Sequence, residues 1–166
     1  MKLRHSLLLA AMLSAQVFAQ ENLGYQVPPP SIMALADYQR PPTVSFDHQR
    51  QTMLLSFRNT YKSLRELSQP ELRLAGLRIN PQTNMPTTQA YVNQLRLKQV
   101  STGKETEIKG MPADALISNV KWSPDGKKIG FTHTTDKGAE LWVIDVAKAA
   151  AQRVTGANLN GAEIGR

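Results

Sequence analysis

The chain has 166 residues, 41% of them hydrophobic and 20% charged, with a formal charge of +7 and no cysteine. That length suits one ordinary domain or a piece of something larger. The lack of cysteine excludes disulfides, thiolate zinc sites, a cysteine nucleophile and a lipid-anchoring cysteine. Nucleic-acid binders gather positive charge on one face, commonly with aromatics interleaved. Here it is spread through Arg58, Arg73, Arg96, Lys104 and Lys127, which describes a solvated surface and no nucleic-acid partner.

Residues 1–19 read as a secretory signal peptide. Lys2 and Arg4 form a short basic region, residues 7–13 an apolar run, and Val17-Phe18-Ala19 sets compact residues before a cleavage point at Gln20. The apolar run is too short to span a bilayer, and residues 7–11 lack the polar face of a buried amphipathic helix. No Arg pair precedes the run, so the general secretory route is expected over the twin-Arg route. Cleavage leaves a charge of about +5. With no second apolar stretch of span length, the mature chain is expected to be soluble, off the membrane, and periplasmic or secreted.

Residues 20–43 form a Pro-rich segment. Pro28-Pro29-Pro30 precedes residues 31–38, which read either as a short helix ended by Arg40-Pro41-Pro42 or as an extended linker. The next element, residues 44–56, is a degenerate copy of a hairpin better written at 120–132. In the later copy, Trp122-Ser123-Pro124-Asp125-Gly126-Lys127 encodes a turn. Ser123 opens it, Pro124 presets φ and Gly126 closes it. Ile129, Phe131 and His133 then share one face of the returning strand. Phe46 stands where Trp122 does, and Leu55 where Phe131 does.

Between these hairpins lies an insertion of about 30 residues, near 60–90. Within it Leu72 and Leu74 share one parity while Leu77 and Ile79 take the other, which predicts a strand with a bulge at Gly76. Pro81, Asn84 and Pro86 mark a loop. Glu66 and Glu71 flank Pro70 and read as solvated loop residues, not as an acid–base pair.

The second half repeats the first. Residues 95–104 overlie 141–150 at an offset of 46, and the match continues from Ile108-Lys109-Gly110 to Val154-Thr155-Gly156. Each copy reads as strand, turn, strand. Strands near 117–122, 128–134, 141–146 and 152–155 make a four-stranded antiparallel unit. Such units on a period of about 40 to 50 residues mark β-propeller blades. The fold class is therefore all-β: a first blade over 44–110, a second over 111–156, and the start of a third over 157–166. A third-blade aromatic should fall at position 168, two residues past Arg166, so an incomplete propeller, and hence a fragment, is expected.

These residues resemble the start of a prolyl oligopeptidase family serine peptidase, in particular its glutamyl endopeptidase-like branch. The resemblance runs from about Tyr25 to Thr155. It rests on Tyr25-Gln26-Val27-Pro28-Pro29, on Glu66-Leu67 with Pro70-Glu71-Leu72-Arg73-Leu74-Ala75-Gly76-Leu77-Arg78-Ile79, and on the Trp122 turn. The Pro70 stretch is the most specific, because a generic propeller lacks it. Phe46-Asp47-His48-Gln49 departs from the family's Ser-Pro-Asp-Gly type of turn.

The resemblance implies a propeller capping a C-terminal α/β-hydrolase domain whose Ser-Asp-His triad cleaves small or flexible peptides. Its nucleophile would sit in a G-x-S-x-G elbow, and this sequence contains none. His5 lies in the signal peptide, and His48 and His133 have no partner motif, so the expectation is no catalytic, metal or cofactor-binding residue in this chain. Peptide substrate is then met only by the full-length protein. Two alternatives compete: a periplasmic β-propeller binding or scaffold module without enzymatic activity, and a stand-alone small protein whose blades form an oligomer interface.

Overall fold

The computed structural model describes residues 26–36 and 38–162, so the export signal expected at 1–19 lies outside the described residues. The chain divides into two units, Met1–Asp37 and Tyr38–Arg166. In the first, α1 spans Pro30–Ala36. Pro30 suits the first helical position, where its fixed φ is already helical and its missing N–H would have had no partner. The segment left open between helix and linker is thus a helix.

Among its described residues the second unit has eleven strands. One antiparallel sheet contains β1 (Thr43–Phe46), β2 (Thr52–Phe57), β6 (Gln94–Gln99) and β7 (Glu105–Glu107), in that order. A second contains β8 (Ile117–Trp122), β9 (Lys128–Thr135), β10 (Gly138–Asp145) and β11 (Ala150–Arg153). Both are simple meanders with the strand order of propeller blades, and they are not closed into a ring.

Their pairing registers coincide from the β1–β2 and β8–β9 turns outward across all four strands. In the first sheet Phe46 pairs with Met53, Met53 with Lys98, and Lys98 with Glu105. In the second Trp122 pairs with Ile129, Ile129 with Ile144, and Ile144 with Ala151. Trp122 and Ile129 follow their counterparts by 76 positions, Ile144 and Ala151 by 46. The difference falls in the β2–β6 connection. Side chains alternate faces along a strand, so a one-residue slip would turn each core residue outward. The long insertion falls where it disturbs no pairing, while β8 carries a one-residue register shift between Ser118 and Lys121.

The degenerate turn works by the same bonds as the better-written one. Ser123 Oγ accepts from the Lys128 N–H at 2.9 Å. The Asp47 carboxylate accepts from the N–H groups of Gln51 and Thr52 at 2.8 and 3.3 Å. Asp47 and Ser123 also donate their own N–H groups to Thr52 and Lys128. Where the second turn has Gly126 at φ 70°, the first has Arg50 at φ 55°. A side chain in left-handed backbone costs roughly 1–2 kcal/mol, partly offset by the freedom glycine loses on folding. Arg50→Gly is therefore expected to raise stability by about 1 kcal/mol, read as an upward shift of the urea midpoint at unchanged slope.

The core lies between the two sheets. Leu54, Leu95 and Leu97 from the first, with Ile108 beyond β7, meet Ile117, Ile129, Phe131 and Ile144 from the second. Phe131 stacks on Trp142 with ring centroids 6.1 Å apart. Trp122 donates its indole N–H to Ser45 Oγ at 3.1 Å, so one sheet's aromatic is satisfied by the other. Isolated bridges Val92 to Ile117 and Lys109 to Ala150 join their margins.

Between β2 and β6 the chain forms α2 (Leu64–Leu67) and a small sheet of β3 (Leu72–Leu74), β4 (Leu77–Asn80) and β5 (Met85–Pro86). This corrects the bulge expected at Gly76. Leu74 pairs with Leu77, and Ala75 (φ 46°) with Gly76 (φ 92°) makes a two-residue reversal. Two consecutive positive φ values suit a tight hairpin whose twist matches its strands. The parity change is a chain reversal, and it puts Leu72, Leu74, Leu77 and Ile79 on one face.

Candidate functional site

The sequence singled out His48, His133, Glu66 and Glu71, and the structure scatters them. His48 is exposed in the β1–β2 turn. His133 is buried in β9, where its Nδ1 accepts from the Leu116 N–H at 3.3 Å and its ring meets the edge of Trp142. Burial, the largest influence, pushes its pKa below the ordinary histidine value. Glu66 closes a capping box at the start of α2: its Oε2 accepts from both the N–H and the Oγ of Ser63, each at 2.8 Å, and Ser63 Oγ accepts from the Glu66 N–H. Among the described residues, no group of three His, Asp or Glu could hold a metal ion.

A groove opens where the insertion leaves and rejoins the first sheet. It has a volume of about 220 Å³ and is lined by Arg40, by residues 58–62, and by Glu66, Ala90, Tyr91, Asn93, Ala115 and Leu116. Each wall is tied down. Thr60 donates its hydroxyl to the Tyr38 carbonyl at 2.7 Å, and the Asn93 amide donates to Asn59 Oδ1. Val92 and Ile117 exchange both backbone hydrogen bonds, at 2.8 and 2.9 Å, joining the β6 approach to the start of β8. Lys62 Nζ donates to the Thr87 carbonyl at 3.2 Å. Burial pushes the Tyr91 phenol pKa upward.

The groove is cationic. Arg40, Arg58 and Lys62 face one carboxylate, Glu66. None of the three forms an ion pair among the described residues. Arg40 Nε is removed from solvent and has no hydrogen-bond acceptor among the described residues. Along the sequence the basic residues are scattered; the fold gathers part of that charge. Arg58 and Lys62 lie in one short segment, but no periodicity links either to Arg40, so no local signal joins the three.

No family model matches the chain. A probable chloroplastic glutamyl endopeptidase of Arabidopsis thaliana is 32% identical over 155 residues, covering 84% of this chain and 16% of that protein. Its counterpart in Oryza sativa subsp. japonica is 28% identical over 140 residues, covering 78% of this chain and 15% of its own length. The chain is a homologue of the glutamyl endopeptidases. It spans about one sixth of the length of these relatives. No helix among the described residues is long and apolar enough to cross a membrane.

The stretch that most specifically suggested this glutamyl endopeptidase relationship, residues 70–79, is the β3–β4 hairpin. Antiparallel pairing sets Arg73 opposite Arg78, two like charges on one face. Glu71 reconciles them and is not the solvated loop residue expected. Arg78 binds both its oxygens, through Nε at 3.0 Å and Nη2 at 2.9 Å, and Arg73 Nε donates at 2.8 Å. The Thr87 hydroxyl also donates to it. Hydrogen bonds from Arg78 first, then Thr87 and Arg73, push the Glu71 pKa down to about 2.

A carboxyl group with a lowered folded-state pKa contributes stability that is fully present above its unfolded value, near 4.5, and is lost as pH falls through about 2. Acidification across that window is expected to erase the Leu74–Leu77 cross-strand NOEs of the hairpin. Glu71→Gln should remove this acid dependence. An unchanged acid profile in that variant would show the clamp to be unimportant.

Proposed function

We propose that this chain forms propeller blades of an exported serine peptidase and takes no part itself in bond cleavage. The supporting observation is the match to the glutamyl endopeptidases, which covers most of this chain and about one sixth of theirs. Two sheets in one blade register are consistent with it. On the family resemblance, the reacting Ser, Asp and His belong to an α/β-hydrolase domain, and the 166 residues contain no G-x-S-x-G elbow. The propeller's part is then to restrict which peptides reach that domain. The relatives' name makes a glutamyl-containing peptide the substrate to try first.

An antibody against the second sheet, used on extracts of the source cells, tests this reading. The recognised species should greatly exceed 18.4 kDa, react with a fluorophosphonate probe for serine hydrolases, and start at Gln20 in an exported fraction. The isolated 166-residue chain should not react. If the antibody finds only a probe-silent species of the calculated mass, the peptidase reading fails. Retention in the cytoplasm with Met1 intact would defeat export alone.

A further inference from the structure

We propose that the insertion between β2 and β6 docks on the surface of an anionic lipid bilayer, its leucines entering the acyl boundary beside a cationic groove that meets lipid phosphate. This goes beyond the peptidase reading, because it assigns a partner to this chain's own surface. The first support is the apolar exposure of the insertion. Leu64 and Leu67 of α2 are 84% and 66% exposed, and Leu72, Leu74 and Leu77 of the hairpin are half-exposed. Large apolar side chains gathered in water mark an interaction surface. The hairpin tip, Leu74-Ala75-Gly76-Leu77, carries no polar side chain. Left-handed backbone in a tight reversal ordinarily selects Asn, Asp or Gly, yet Ala75 holds φ 46° without their polar group.

The second support is charge. Arg65, Arg73 and Arg78 each have a carboxylate partner. Arg40, Arg58 and Lys62 line the neighbouring groove with none among the described residues. Gathering like charges costs Coulomb energy, which an anion placed among them reverses. The cationic and apolar surfaces adjoin. Lys62 is followed at once by the Ser63 cap of α2. Its Nζ reaches the carbonyl of Thr87, whose hydroxyl donates to Glu71 at the base of the hairpin. Tyr61, 66% exposed, lines the groove as well. Basic residues, a tyrosine and exposed leucines together are the chemistry of an interfacial anchor.

Dimensions and charge favour lipid over other occupants. At roughly 3.3 Å per residue, the two steps from Leu72 to Leu74 cover about 7 Å, within the roughly 5–10 Å to which interfacial anchors sink. At that depth the open edge of β3 still meets headgroups and water, so no backbone group is stranded in hydrocarbon. A second copy fits poorly, since a two-fold contact through this face brings the same unpaired cations of two copies together. A protein partner fits less well too, because lysine is depleted at protein interfaces and leucine is under-represented among their strongest contacts. The expectation of a chain off the membrane rests on span length, which a surface contact does not need.

The test uses the full chain, which has no cysteine of its own. Ala75→Cys at the hairpin tip and Ser101→Cys, exposed in the β6–β7 turn, each give one attachment point for a polarity-sensitive dye. Reading by position separates this surface from the apolar run at 7–13, which can bind lipid by itself. On titration with phosphatidylcholine vesicles containing phosphatidylglycerol, the dye at 75 should shift to the blue and escape quenching by aqueous iodide. The dye at 101 should do neither. Pure phosphatidylcholine should bind at least about tenfold more weakly. Arg58→Gln and Lys62→Gln should each weaken binding about fivefold, the worth of one basic residue at an anionic surface, and added salt should weaken it further. Leu74→Asn combined with Leu77→Asn should abolish the shift at 75. Leu64→Gln, outside the hairpin pairing, should weaken binding several-fold with an unchanged near-ultraviolet CD spectrum. Equal shifts at 75 and 101, or binding indifferent to phosphatidylglycerol, overturns the proposal. So does a shift at 75 that follows protein concentration without lipid, which would make the face an interface between copies. Glycerol 3-phosphate binding as tightly as the vesicles overturns the lipid assignment. None of these readouts depends on cleavage, so failure here leaves the peptidase reading standing, and the reverse holds too.

Discussion

Phe131→Ala is expected to lower folding stability by about 3–5 kcal/mol, the cost of removing a large aromatic from a packed core. Phe131 is 1% exposed, lies in β9 and stacks on Trp142. Its cluster joins both four-stranded sheets through Leu54 and Leu97 on one side and Ile129 and Ile144 on the other. The loss should therefore reach beyond its own sheet. In urea denaturation followed by Trp fluorescence and by far-ultraviolet CD, both signals should move together to a lower midpoint. Leu64→Ala, at a residue 84% exposed, should change stability by no more than about 0.5 kcal/mol. A Phe131→Ala loss under about 1 kcal/mol would mean that the sheets do not rely on this contact.

Gly138→Ala should destabilise by about 3 kcal/mol through a different mechanism. Gly138 opens β10 at φ 143°, and a Cβ there would lie 2.3 Å from the Ala157 carbonyl oxygen. Both atoms in conflict are set by backbone, so no rotamer change relieves the clash, and the φ adds strain. The connector after β11 would have to move away, breaking the bond from the Leu159 N–H to the Ala139 carbonyl at 3.0 Å. Gly130→Ala is the matched control. Its φ lies outside the left-handed region and there is open space where the Cβ would go, and strands generally disfavour glycine. It should be neutral or mildly stabilising. Equal losses at the two positions in thermal unfolding would refute the clash as the cause.

The blades were legible because their information is local. Alternation, turn chemistry and a repeated register follow from neighbours in sequence, and pairing parity penalises slips within strands. Even the poor copy at 44–56 kept its geometry, since the Asp47 carboxylate accepts the N–H bond that Ser123 Oγ accepts in the better one. The Ser63-x-x-Glu66 spacing of the α2 capping box is a local signal that the expectation of Glu66 as a solvated loop residue passed over. The hairpin at Ala75-Gly76 was harder, because a bulge and a reversal leave the same parity change in sequence. Which of them occurs depends on whether Leu74 finds a partner at Leu77.

By itself the sequence determined the all-β class, the two matching registers, the turn residues and the relationship to glutamyl endopeptidases. Tertiary structure alone decided which sheet faces meet, that Glu71 holds Arg73 and Arg78 together, and that Arg40, Arg58 and Lys62 share one groove. The division has a physical reason. Strand and turn preferences act between residues close in sequence, whereas a groove's charge is set by where separate segments come to rest, and their separation along the chain does not encode that meeting.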